Sequence, residues 1–392
     1  MSGAAWLLPL APRPCPRETM SSWLSRIGCR YGLRPSEVLD SVVLTRSTRH
    51  PAPSTDWRVP SEHIAAMAEG ARLPVAAVAA LDAAVTFPDV PQYGFAWAYG
   101  VRDPVSGRDI YGGPLGRGWC PSCHAEQFRA CGQEYMLPDW ALAYSGHCFR
   151  HEVPLADRCP ACGSDKHPMH IPDRARTRLA CAACGEWISG QRRSEAEPST
   201  AETGVGALLL AFERHLVRAA AGRAPSRDWA GSGSGAALLA LVDDIACVLC
   251  PERAFKLGPL IHRFDLKVGV GIRDVLLPDL EHPLCGLPPR GRLRMLAAVL
   301  AVIGGEEACS LLLGDGGDRR ASARHPNDQL GGSMEWLVRV LTDRDLVRLL
   351  ERSQRWPLQA HARLRRAVLL SGRADDRGPR SQGHSAEAAM VS

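Results

Sequence analysis

Lysine is almost missing from this chain. Of 392 residues 47 are basic, and only Lys166, Lys256 and Lys267 among them are not arginine. Alanine and glycine are abundant as well, so the bias reads as GC-rich coding, and arginine enrichment alone is no sign of phosphate recognition. Also missing is any apolar run near the ~18 residues that a membrane-spanning helix needs. The best stretch, residues 295–303, suits a buried helix. The apolar patch at 4–10 has no positive leader and runs into Pro12, Arg13, Pro14 and Pro16, which speaks against a signal peptide. A cytoplasmic location with reduced thiols and no membrane contact is therefore expected. Aromatics are sparse at 6%, yet 45% hydrophobic and 23% charged residues are ordinary for a folded body. The net charge of +5 permits a nucleic-acid partner without demanding one.

What the chain does hold is crowded cysteine. Eight of the 14 lie between Cys120 and Cys184, and in a reduced compartment such crowding points to metal instead of disulfides. Cys159-Pro-Ala-Cys162-Gly and Cys181-Ala-Ala-Cys184-Gly are two C-x2-C pairs with 18 residues between them, as a four-thiolate zinc site requires. Gly163 and Gly185 follow the pairs and can take the positive φ that curls a knuckle around an ion. Upstream, Cys120-Pro-Ser-Cys123 and Cys148-Phe-Arg-His151 read as three thiolates and an imidazole. His124, His147 and Cys131 compete for places in this set. His151 is preferred because C-x2-H keeps the knuckle spacing, whereas His124 and His147 each adjoin a cysteine. Cys131 reads as a small buried apolar residue. Both sets supply four protein ligands and leave no open position, so each predicts structural zinc, two ions per chain. Cys247 and Cys250 end an apolar stretch and read as core.

The overall pattern predicts a mainly α, multi-domain chain with small zinc-binding β and loop modules. Its expected parts are an N-terminal helical region over 1–118, a double zinc module over 119–190, a C-terminal helical domain over 204–371 and a disordered tail over 372–392. A helix over 20–31 ends at Gly32, and Pro35 opens another. A helix over 61–69 ends at Gly70, and Pro74 opens one over 75–85. Each pair looks like a helix-turn-helix, with an ordinary helical pair as the alternative. Arg26, Arg30 and Arg34, with Arg46, surround the first pair and are candidates for DNA contact. The aromatics Tyr93, Phe95, Trp97, Tyr99, Tyr111 and Trp119 suggest short strands leading into the first knuckle. Residues 191–203, 225–235 and 315–332 read as linkers or loops. Further helices are expected over 205–216, 236–249, 290–303, 306–313, 334–352 and 357–370. Arg363, Arg365 and Arg366 on the last could bind phosphates or form a solvated face. The adjacent acids Asp243-Asp244 and Glu306-Glu307 read as solvated, so a catalytic carboxylate cluster, and with it an enzyme, is not expected.

Several segments together carry a resemblance. They are Leu10-Ala-Pro-Arg-Pro, Glu18-Thr-Met-Ser-Ser-Trp-Leu-Ser-Arg-Ile, Tyr31-Gly-Leu-Arg-Pro-Ser-Glu-Val-Leu, Trp119-Cys-Pro-Ser-Cys, Trp140-Ala-Leu-Ala and the run from Cys148 to Gly163. Over about residues 7–187 the chain resembles the TniQ family. The resemblance implies a role in transposition, where such proteins accompany a DDE-type transposase and an AAA+ ATPase and help choose the target site. It implies target DNA, the ATPase and the transposase as partners, with self-association. Its zinc ligands carry over as Cys120, Cys123, Cys148 and His151, then Cys159, Cys162, Cys181 and Cys184; no DNA-reading residue carries over. The functional expectation is a transposition accessory protein that selects or recognises target DNA and links it to the ATPase and transposase. The alternative is a protein–protein adaptor with little DNA binding of its own.

Overall fold

Helix α1 (Met20–Tyr31) begins where the Thr19 hydroxyl accepts the Ser22 amide at 3.3 Å, and ends where Gly32 takes φ 67°. It buries Trp23, Leu24 and Ile27. Helix α2 (Pro35–Val42) opens on its proline and packs on α1 through Val38 and Val42. Helix α3 (Ser61–Ala71) runs past Gly70, its expected end. The left-handed residue is Arg72 at φ 56°, and the Gly70 carbonyl accepts the Leu8 amide at 2.7 Å. The single helix expected over 75–85 is two, α4 (Val75–Ala79) and α5 (Ala83–Thr86). Asp82 divides them: its carboxylate accepts the amides of Ala84, Arg58 and Val59 at 2.9, 2.8 and 3.0 Å. One side chain thereby caps α5 and ties down the loop before α3.

The computed structural model describes residues 7–42, 56–90, 94, 117–166, 168–174, 176–189, 204–223, 234–249, 283–304 and 333–372. Tyr93, Phe95, Trp97, Tyr99, Tyr111, Arg46, Cys250, the helix expected over 306–313 with Glu306-Glu307, the connections at 191–203 and 315–332, most of 225–235 and the tail after Gly372 lie outside the described residues.

The cysteine-rich stretch holds α6 (Pro121–Cys131), a short 3-10 turn at Pro138–Ala141 and two antiparallel strand pairs. β1 (His147–Cys148) pairs with β2 (Val153–Pro154), and β3 (Met169–Asp173) with β4 (Arg176–Ala180). After it come α7 (Gly204–Ala220), α8 (Gly235–Leu249), α9 (Pro283–Gly286), α10 (Pro289–Ile303), α11 (Ser333–Val340), α12 (Asp343–Arg352) and α13 (Leu358–Leu370). The helix expected over 334–352 is divided at Thr342. Its hydroxyl accepts the Asp345 amide at 3.2 Å and donates to the Asp345 carboxylate at 2.7 Å, a capping exchange that starts α12 afresh. The chain is mainly α, and among the described residues the strands are few, short and confined to the cysteine-rich stretch.

Three apolar cores form among the described residues. One lies within residues 8–81, around Met20, Trp23, Ile27 and Met67. A second surrounds the cysteines with Trp119, Trp140, Leu179 and Ile188. The largest joins Phe212, Leu239, Leu296 and Leu364 of the C-terminal helices to Phe87 and Val90 and to residues 141–144 of the cysteine-rich stretch. It thus draws on all three helical and cysteine-rich stretches of the sequence.

Asp243 and Asp244, expected in solvent, are structural. Asp244 is buried and accepts Arg355 Nη2 at 2.6 Å and Trp356 Nε1 at 2.8 Å, with Arg352 at 3.6 Å. Asp243 accepts the Tyr144 hydroxyl at 2.7 Å. Desolvation pushes the Asp243 carboxyl up to about 7, against the opposing pull of that hydrogen bond.

Candidate metal centres

Cys120 stands at the start of α6, where Pro121 fixes the first helical residue, and Cys123 follows one turn in. Cys148 ends β1, and His151 lies in the turn before β2. Glu152 closes that turn at φ 53°, its amide donating to the Cys148 carbonyl at 2.7 Å. The His151 Nδ1 atom is 3.4 Å from Cys120 Sγ, 3.3 Å from Cys123 Sγ and 3.6 Å from Cys148 Sγ, and the Cys123 and Cys148 sulfurs are 3.5 Å apart. A tetrahedron with zinc–sulfur and zinc–nitrogen bonds of ordinary length has edges of about 3.6–3.8 Å. The other ring nitrogen, Nε2, lies 3.1 Å from Glu126 Oε1, and Glu126 is held by Arg150 at 2.9 Å. With Nε2–H donating to that carboxylate, the Nδ1 lone pair is turned toward the sulfurs.

The second group is built by repetition. Gly163 at φ 70° donates to the Cys159 carbonyl at 2.7 Å, and Gly185 at φ 75° donates to the Cys181 carbonyl at 2.8 Å. Both glycines take the expected left-handed conformation. The β3–β4 hairpin joins the knuckles, bringing Cys159 and Cys184 to 3.8 Å and Cys162 and Cys181 to 3.7 Å, sulfur to sulfur. In each group the four ligand atoms lie within 4.8 Å of one another, and each could hold a metal ion. The chemistry of the donors fits one. In the first group the Cys123 thiol is pushed far up by its hydrogen bonds with Cys120 and Cys148 and then by burial, a cost that a divalent cation among the sulfurs reverses.

The competitors serve other ends. His124 is buried edge-on against Trp140, with ring centroids 5.1 Å apart, and its Nδ1 is 3.0 Å from Gln127 Oε1. Burial pushes it down to about 4. His147 Nδ1 is 2.7 Å from Glu213 Oε1. Cys131 belongs to neither cluster and is exposed at the end of α6, not buried as expected.

Sequence reasoning missed the residues that hold this region in place. Glu213 of α7 accepts the amides of Gly146 and His147 at 2.7 and 3.0 Å, directly before Cys148. Glu134 accepts the Leu179 amide at 2.7 Å and the Ser189 hydroxyl at 2.5 Å, fixing the strand that leads to Cys181. Arg292 of α10 is buried and donates to the carbonyls of Leu142 and Trp140; burial pushes it down to about 10. Arg117 donates to Asp56 and to the Ser21 hydroxyl, joining the first knuckle to α1. Their only sequence signal is a charge beside apolar positions, such as Glu213 next to Phe212.

The arginines proposed from sequence divide into two groups. Arg26 is sealed inside, 1% exposed and paired with Glu18, so it is out of reach of a DNA phosphate. Arg30 is exposed and bonds the Leu10 carbonyl at 3.4 Å, while Arg34 pairs with Glu37 at 2.6 Å. Arg363, Arg365 and Arg366 are exposed on α13, with Arg363 reaching the Ile303 carbonyl at 3.3 Å.

Fold and site thus define a mainly α protein with two four-ligand Cys/His clusters, and among the described residues no helix is long and apolar enough to cross a membrane. The TniQ family model matches residues 9–155. Over that stretch, which spans the N-terminal helices and the whole first cluster, the chain is similar to the TniQ family, which is associated with transposition. The second cluster lies beyond the match. No curated protein matches the chain.

Proposed function

We propose that the protein is a non-enzymatic transposition accessory factor. It helps select or recognise target DNA and links it to an AAA+ ATPase and a DDE-type transposase. The observation that carries this reading is the complete first cluster inside the TniQ match. Cys120, Cys123, Cys148 and His151 hold one zinc ion, and Cys159, Cys162, Cys181 and Cys184 a second, because soft thiolates and imidazole in tetrahedral sets suit zinc. Every position around each ion is filled by protein, which supports a structural role. When bound, the ions supply the cohesion of a small stretch with short strands. The protein works in the cytoplasm.

DNA contact is assigned to the C-terminal helices. Arg363, Arg365 and Arg366 of α13 are exposed, as are Arg344 and Arg348 of α12. The adaptor reading draws on the first helix pair, where α2 carries Glu37 and Asp40 and no basic residue. Fluorescence anisotropy on random and candidate attachment-site duplexes across a salt series tests the choice. Tight, salt-steep binding with a site preference supports the selector, since phosphate contacts release counterions. Absence of binding at low salt overturns it and leaves the adaptor, which pull-downs with the ATPase then examine.

A further inference from the structure

A cavity of about 490 Å³ opens between the segment leading into α1 and the α3–α4 turn. Arg13, Arg17 and Arg72 line it, together with Pro74, Ala77 and Leu81, and no acidic residue does. Arg17 is committed to Asp139, with bonds of 2.6 and 2.7 Å. Arg13 and Arg72 are exposed, and among the described residues no carboxylate pairs with either. The backbone that carries these cations is stiff. Pro14 and Pro16 flank Cys15 in the wall, and Arg17 and Arg72 hold φ of 57° and 56°. A ligand meeting them needs little reorganisation of the protein.

Unpaired guanidinium groups around a partly apolar concavity select an amphipathic anion. A duplex backbone offers phosphates, but its convex, polar surface leaves the half-buried Ala77 above the Leu81 edge of the core without an apolar partner. A peptide can satisfy both, placing an apolar side chain inside and carboxylates at the arginines, which pair with them bidentately. We propose that this cavity docks a short acidic segment of a partner protein, with one apolar side chain inserted and carboxylates on Arg13 and Arg72. This assignment does not depend on the transposition reading.

The test uses the full chain and a short fluorescein-labelled peptide with a central leucine flanked by glutamates, read by anisotropy at about 0.15 M salt, where loose charge attraction is screened. Saturable binding is expected. Arg13→Glu/Arg72→Asn should weaken it at least about tenfold; asparagine tolerates the left-handed backbone at position 72. Ala77→Trp, which fills the cavity without changing charge, should weaken it similarly, with circular dichroism reporting that each variant is folded. Arg223→Glu/Arg339→Asn, the same change in net charge at exposed positions outside the cavity lining, should leave binding intact. The proposal is overturned by no saturable binding to the wild type, by unchanged binding in the Arg13/Arg72 variant, or by an equal loss in the Arg223/Arg339 control. Retained binding in a folded Ala77→Trp also overturns it, because the peptide then does not use the cavity.

Discussion

Replacing Arg26 by alanine should unfold the N-terminal helices more readily without touching a DNA surface. The Arg26 and Glu18 side chains are 2% and 0% exposed and pair at 2.5 Å. Glu18 also accepts the Cys15 amide and the Ser22 hydroxyl, each at 2.9 Å, and Arg26 donates to the Arg13 carbonyl at 3.2 Å. Arg26→Ala leaves a desolvated carboxylate facing two neutral donors. Breaking a buried pair from one side costs about 3–5 kcal/mol. At a urea dependence of about 2 kcal/mol/M this lowers the unfolding midpoint of that region by ~1.5–2.5 M. Burial already pushes the Glu18 carboxyl up, with Arg26 the main opposing pull. In the variant the folded-state pKa rises further above the unfolded one, so stability falls as pH rises through that window. Glu18→Leu/Arg26→Met removes both charges at similar volume and should return to within about 1.5 kcal/mol of wild type. The assay is urea unfolding followed by tryptophan fluorescence for both singles and the double, beside anisotropy on duplex DNA. An Arg26→Ala protein with an unchanged midpoint and no remaining DNA affinity would refute the reasoning, since the guanidinium would then serve a phosphate and not Glu18.

Other perturbations separate the remaining parts. Elemental analysis should find two zinc ions per chain, one for each cluster, and one in Cys162→Ser; two ions in that variant would disprove the four-thiolate assignment. Glu126→Gln should loosen the first ion by about 10–100-fold in a chelator competition, because it weakens the partner of His151 Nε2. Asp243, pushed up to about 7 from an ordinary 3.8, binds a proton in the folded state that the unfolded chain has released. Stability should therefore fall as pH rises from about 4 to 7, and thermal melts of Asp243→Asn should lack that slope. Arg365→Ala/Arg366→Ala should flatten the salt dependence of DNA binding by about 0.9 in log–log slope for each phosphate no longer neutralised; an unchanged slope would clear α13 of a role at the DNA backbone.

Local chemistry is readable in the sequence wherever the determining atoms are close along the chain. Gly32 and Pro35 mark the α1–α2 turn, and Gly163 and Gly185 mark the second pair of knuckles. Ligand spacing alone separates His151 from His124 and His147. What is not readable depends on partners far along the chain. Asp82 divides a helix because Arg58 and Val59, more than 20 residues away, present their amides to it. Asp243 is enclosed because Tyr144 reaches it from another stretch. Arg26 resembles a surface cation because a charge in a helix discloses nothing about Glu18 being folded against it. Thr342 is the exception that is legible: threonine three residues before aspartate is a start signal, and it outweighs the apolar spacing that runs across it.

The family match stops at residue 155, seven positions after Cys148 and in the middle of a packed body. Residues 141–144 lie in the same core as α7, α8 and α10, and Arg292 satisfies carbonyls at 140 and 142. A side chain added at Gly146 would collide with Leu293. The stretch that descends as a recognisable sequence is therefore not a unit that recombination can shuffle freely. A hybrid joining this TniQ stretch to the helices of a relative would have to inherit the face formed by Glu213, Leu293 and Arg292 with it. A substitution at Glu213, Arg292 or Leu293 in those C-terminal helices would therefore act on the backbone of the matched stretch beside the first cluster.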